Sequence, residues 1–261
     1  MTTAYRIWEM MERSKTGRHI EEDDFLPKLF TPTLKKLIKE YEIRYDPATP
    51  VPADDDLADR IWQAGWDLFR EVGVYNTDSH RIIQVSDEEI REALYIAKDQ
   101  YWVGEGKDAK LWKHRQVEDT EPPFCIFSPD ITVDEHLHHS MCAAYLKEPL
   151  LDGFCAPILE NAIGQLIESG GPTEINGCIQ HIYNMRLAAK QEGRPGTFFV
   201  AVGTAEHDAG QIAVSDNAWG VRTSDARLVG SLTEFKTADT LLNRSVHYAQ
   251  YGCYTGNLTG P

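Results

Sequence analysis

The chain has 261 residues, 42% of them hydrophobic and 26% charged, which is the composition of a folded globular protein and not of a disordered one. Its 26 Lys and Arg against 41 Asp and Glu leave a formal charge of −15, and so acidic a surface argues against nucleic acid or anionic membrane as a partner. No run approaches the ~18 apolar residues needed to cross a bilayer, and no apolar signal core follows Met1, so a soluble, cytoplasmic protein is expected.

Residues 1 to about 120 read as a helical amino-terminal region. Thr31-Pro32 sets a capping hydroxyl before a proline, and Leu34, Leu37, Ile38 and Tyr41 follow at helical spacing. Pro47, Pro50 and Pro52 break the chain. A second helix is expected from Ala53, with Asp54, Asp55 and Asp56 at its positive dipole end and Gly73 as its stop. A third begins at Ser86-Asp87-Glu88-Glu89, the spacing of a capping box.

From residue 121 to 261 short apolar runs alternate with helices. Phe124–Phe127, Leu150–Pro157, Phe198–Val202, Arg227–Thr233 and Cys253–Leu258 read as strands. The helices between them run through His136–Tyr145, Thr173–Gln191 and Leu241–Val246. This alternation predicts an α/β fold of parallel βα units. Only Thr259-Gly260-Pro261 follow the fifth strand, so the sheet is expected to be cut short after about five strands. Its open edge is then expected to self-associate, making the printed chain marginally stable and a homo-oligomer an open option.

The cysteines, Cys125, Cys142, Cys155, Cys178 and Cys253, are odd in number and form no CxxC pair, so they read as buried thiols. Gly104-Glu105-Gly106-Lys107-Asp108 lacks both the third glycine of a dinucleotide loop and the ending of a P-loop, and reads as a turn. His136, His138 and His139 lie close together, with His136 and His139 on one helical face and His138 pointing away. Without a matched carboxylate they predict no metal site. Glu206, His207 and Asp208 follow the clearest strand, where parallel α/β folds collect their catalytic groups. They are the catalytic candidates, as acid, base and orienting carboxylate. Glu160, Glu234 and Asn257, on or after other strands, are the candidates for binding substrate.

Gly73-Val74-Tyr75-Asn76-Thr77-Asp78-Ser79-His80-Arg81-Ile82-Ile83, with Ser86–Ile90, Gly104–Ala109 and Gly193-Arg194-Pro195-Gly196, resembles the monomethylamine:corrinoid methyltransferase family of methanogenic archaea. Lys15-Thr16-Gly17 and Ala64-Gly65 fall in the same register. The resemblance implies a (β/α)8 barrel of the TIM type preceded by helices. It further implies methyl transfer from a methylated amine to the cobalt of a corrinoid (cobalamin) carried by a partner protein, with no cofactor bound by the chain itself. In that family a pyrrolysine holds the amine and acidic residues on the next strands assist it. Here those positions fall on Val202, Leu228 and Leu258. Two readings follow: a methyltransferase of methanogenesis or methylamine catabolism that works without pyrrolysine, or a non-catalytic module that keeps the surface for a corrinoid protein.

Overall fold

The local stop and start signals produce the helices they predict. In the computed structural model, which describes residues 3–116, 118–201 and 207–259, Asp54 accepts from the Leu57 amide and opens a helix over Asp55–Val72. Gly73 ends that helix at φ +73°. Ser86 and Glu89 form the reciprocal capping box ahead of Asp87–Ile96. Thr31 behaves otherwise. Helical winding already begins at Glu22 and runs through a wide π segment, Phe25–Phe30, into Thr31–Glu40, so the Thr31 amide bonds to Leu26 and no cap is needed there. The wide turns accommodate prolines that have no amide to give.

The chain forms two compact units. One comprises the residues up to Ala97 together with Ser231–Leu242, and the other Lys98–Gly230 with Asn243–Leu258. The first unit is not purely helical. Val74–Asn76 and Arg81–Ile83 pair as an antiparallel hairpin, and Lys236–Thr237 joins as a parallel third strand. Phe25, Leu37, Leu68, Val72, Tyr75 and Ile82 make its core, with the rings of Phe25 and Tyr75 stacked at 4.6 Å.

In the second unit the five expected strands form one sheet in sequence order: Ile126–Phe127, Gly153–Phe154, Phe198–Ala201, Ala226–Ser231 and Tyr254–Thr259. The first four pair parallel with their neighbours. Helices Glu135–Leu146, Pro172–Gln191 and Asp208–Ala213 follow the first three strands, as parallel crossovers require. Side chains alternate across the sheet. Phe199 and Ala201 pack with Cys142, Leu146, Ile182 and Met185 from the helices. Phe198, Val200 and Ala226 face the other way, onto Val103 and Cys155. Both faces are therefore buried, which explains the unbroken apolar run of the third strand.

A second hairpin, Gln100–Val103 with Lys110–Lys113, also lies within the stretch expected to be helical. Gly104 and Gly106, both at positive φ, make its turn, as the sequence predicts. Cys142, Cys155, Cys178 and Cys253 are buried, and burial pushes the Cys142 thiol up to about 12. Among the described residues no helix is long and apolar enough to cross a membrane.

Candidate functional site

The third strand delivers the chain to residues 202–206, so Val202 and Glu206 lie outside the described residues. His207 comes next, exposed, at the head of the Asp208–Ala213 helix, with no hydrogen bond from its ring to that helix end. Asp208 turns toward the Asp239–Tyr251 helix. Asn243 Nδ2 donates to its Oδ2 at 2.8 Å and Arg244 Nε lies 3.5 Å from its Oδ1. These bonds hold the Asp208 side chain, while the His207 ring before it is exposed.

The substrate-binding candidates are dispersed. Glu160 is exposed in the loop after Ile158–Leu159, its amide donating to the Val133 carbonyl. Glu234 belongs to the first unit, in the turn before Lys236–Thr237 and at φ +52°. Asn257 is carried on the Tyr254–Thr259 strand, and its side chain, like that of Leu258, lies outside the described residues. Leu228 is half-buried, packed against the Phe198, Val200 and Ala226 face of the sheet.

A carboxylate that the sequence reading did not select bonds to the helix that His207 heads. Glu174, in the first turn of Pro172–Gln191, is fully buried. Its Oε1 accepts the Gly210 amide at 2.9 Å and its Oε2 the Gly170 amide at 2.7 Å. It therefore joins the loop before its own helix to the helix that His207 heads. The available signal was Gly170-Gly171-Pro172-Thr173-Glu174, an acid placed at a helix amino terminus directly after a glycine turn.

His138 points away from His136 and His139, as the spacing predicts: it is buried, against His181 of the next helix, while His136 is exposed. Both rings place Nε2 on the Pro157 carbonyl oxygen, at 2.9 and 3.0 Å. Two donors on one carbonyl require both rings to be protonated at Nε2. Burial holds His138 down to about 4 and His181 to about 3. Among the described residues no group of His, Cys, Asp and Glu is arranged to hold a metal ion.

The motifs that carry the family resemblance are structural joints. Asn76, fully buried, donates to Ser14 Oγ at 2.7 Å and to Asp239 Oδ1 at 2.8 Å, and accepts the Asp78 amide at 2.9 Å. The 104–108 turn seats on the Gly-Arg-Pro-Gly turn: the Glu105 amide donates to the Gly196 carbonyl at 2.9 Å, and the Gly196 amide to Asp108 Oδ2 at 2.9 Å. Arg194 gathers the carbonyls of Leu146, Glu148 and Leu151.

The family profile described as "Monomethylamine methyltransferase MtmB" matches residues 5–255. The chain belongs to that family. Curated MtmB relatives include that of Methanosarcina mazei, 25% identical over 246 residues, and MtmB2 of Methanosarcina acetivorans, 24% identical over 246 residues. Each alignment covers 94% of this chain and 53% of the relative, so the chain spans about half the length of the curated MtmB proteins it matches. The crystal structure of Methanosarcina barkeri monomethylamine methyltransferase (MtmB) superposes with a TM-score of 0.92, at 22% identity, over 98% of this chain and 56% of the other. A crystal structure of a hydroxylamine MtmB complex gives the same figures. The MtmB fold is thus kept at low identity, and Asn76, Gly104 and Gly196 are among the residues whose packing keeps it.

Proposed function

We propose that this protein transfers a methyl group from a methylated amine to a corrinoid held by a partner protein, on a (β/α)8 barrel of which the five-stranded sheet is a part. The observation that supports this reading is the family match over residues 5–255, together with a fold shared across 98% of the chain. The corrinoid enters as methyl acceptor on its partner, in the cytoplasm, and the chain itself is proposed to hold only the amine. An amine is a poor leaving group, so the protein's part is to keep it cationic and aimed at the acceptor. Glu206, His207 and Asp208 are proposed as the loop that does so, with Glu160 and Asn257 of the same unit as further polar contacts. At Val202 no adduct to the amine can form, which favours substrates whose nitrogen already carries a fixed charge.

The test is methylation of cob(I)alamin, free and protein-bound, by the full-length protein with monomethylamine and with quaternary amines such as betaines. Turnover with a quaternary amine and little with monomethylamine is expected. Absence of turnover with every methylated amine would remove the enzyme reading. The second reading, a non-catalytic module that binds a corrinoid protein, is favoured by Leu228, which packs into an apolar face where the family resemblance sets an acid. Retention of a corrinoid protein without turnover would select it.

A further inference from the structure

We infer that Glu174 is a positioning residue that sets the orientation of His207, and through it the geometry of the proposed amine site. This rests on the reading of His207 given above. Glu174 is fully buried, and its two carboxylate oxygens each accept one backbone amide, Gly170 from the loop before its own helix and Gly210 from the Asp208–Ala213 helix. Gly170 lies directly beneath His207, since a β-carbon built there would be 3.8 Å from the ring's Cδ2. Gly210 lies three residues beyond His207, and a β-carbon there would meet Cys178 Sγ at 2.5 Å and the Glu174 side chain at 3.0 Å. The carboxylate therefore grips both the floor under the imidazole and the helix that carries it.

Only a carboxylate fits this double role. Each oxygen faces an N–H donor, so an amide side chain would turn its own NH2 toward one of them and lose that bond. Thr173 supports the same loop by accepting the Glu168 amide at 2.9 Å. On the carboxyl side of His207, Asp208 is tied to Asn243 and Arg244, while the His207 ring itself stays exposed. A buried acceptor pair that costs desolvation and ties a loop to the helix that follows a parallel strand has the form of a support for a reacting group.

The experiment uses the full-length protein with its histidines isotope-labelled. In E174Q and E174A the His207 ring resonances are expected to move relative to wild type, while those of His136, an exposed histidine on another helix, stay in place. With the proposed substrate, kcat is expected to fall about 10- to 100-fold with KM changed much less, because misplacement of a reacting group acts on the transition state. The double variant E174Q/H207Q is expected to be no slower than H207Q alone. Unmoved His207 resonances in a folded E174Q chain would overturn the inference. Should both variants fail to fold, amide exchange in the wild type decides. Gly170 and Gly210 are expected to be protected to a similar degree, and rapid exchange at either one overturns the proposal. Full turnover by H207Q would instead defeat the catalytic reading of His207, while the resonance and exchange measurements still report on Glu174.

Discussion

His138 and His181 both direct a ring nitrogen at the Pro157 carbonyl, with ring centroids 4.9 Å apart. Protonating either ring would bury a cation beside the other. Their folded values, about 4 and about 3, lie below the ~6.5 of an unfolded histidine. The unfolded chain thus binds more protons between those limits. Stability from this pair is fully present above about pH 6.5 and is lost as the pH falls toward 4, by up to ~1.4 kcal/mol per pH unit for each ring. Urea unfolding at pH 7, 6 and 5 is expected to show midpoints that decline in that order. Gly196 makes the second prediction at this scale. A β-carbon there would lie 2.0 Å from the Glu105 carbonyl oxygen, which is backbone and cannot swing aside. Gly196→Ala is expected to cost about 2–4 kcal/mol by separating the two turns, read as a lowered unfolding midpoint. An unchanged midpoint would show that the joint contributes nothing.

At the scale of elements, the Asp87–Ile96 helix is held at its head by two devices on one residue. Glu89 closes the capping box onto Ser86 and also takes a forked contact from Arg13, at 2.8 and 2.9 Å. That contact holds the Glu89 carboxyl near 2, below the usual carboxylate range. The stabilisation is present above about pH 4.3 and lost as the pH falls toward 2. Ser86→Ala is expected to cost about 1 kcal/mol, and Glu89→Gln about 2 kcal/mol because the cap and the ion pair weaken together. Equal costs for the two variants would mean that Arg13 adds nothing. This helix, and the one over Asp55–Val72, were legible because their caps are local, each a hydroxyl or carboxylate bonding an amide three residues on. The 74–83 hairpin was not, because strands of three residues are too short to show a period of two.

At the scale of the whole molecule, 41 acidic groups face 26 basic ones, so 15 negative charges remain uncompensated. Self-repulsion of this excess opposes folding, and salt shortens its reach from ~30 Å at 0.01 M to ~8 Å at 0.15 M. The thermal midpoint is therefore expected to rise by a few degrees across that range in calorimetry. A midpoint that falls would show that surface ion pairs such as Lys28–Asp24 and Arg91–Asp87 outweigh the net charge.

The capped helix starts at Asp54 and Ser86, the five strands in their order and the family resemblance were determined by the sequence alone. Each depends on neighbours a few residues away or on a run of apolar side chains. Of the candidate residues, the sequence set His207 and Asp208 after the third strand, where the structure has them, but showed none of the groups that bond to their helix. Glu174 reaches Gly210, 36 residues on, and His138 meets His181 through a carbonyl that belongs to neither helix. The 104–108 turn closes on Gly196 across 88 residues. Which polar groups are buried, and against what, follows from the sheet bringing distant loops together, since a buried donor or acceptor must find its partner wherever the fold places one.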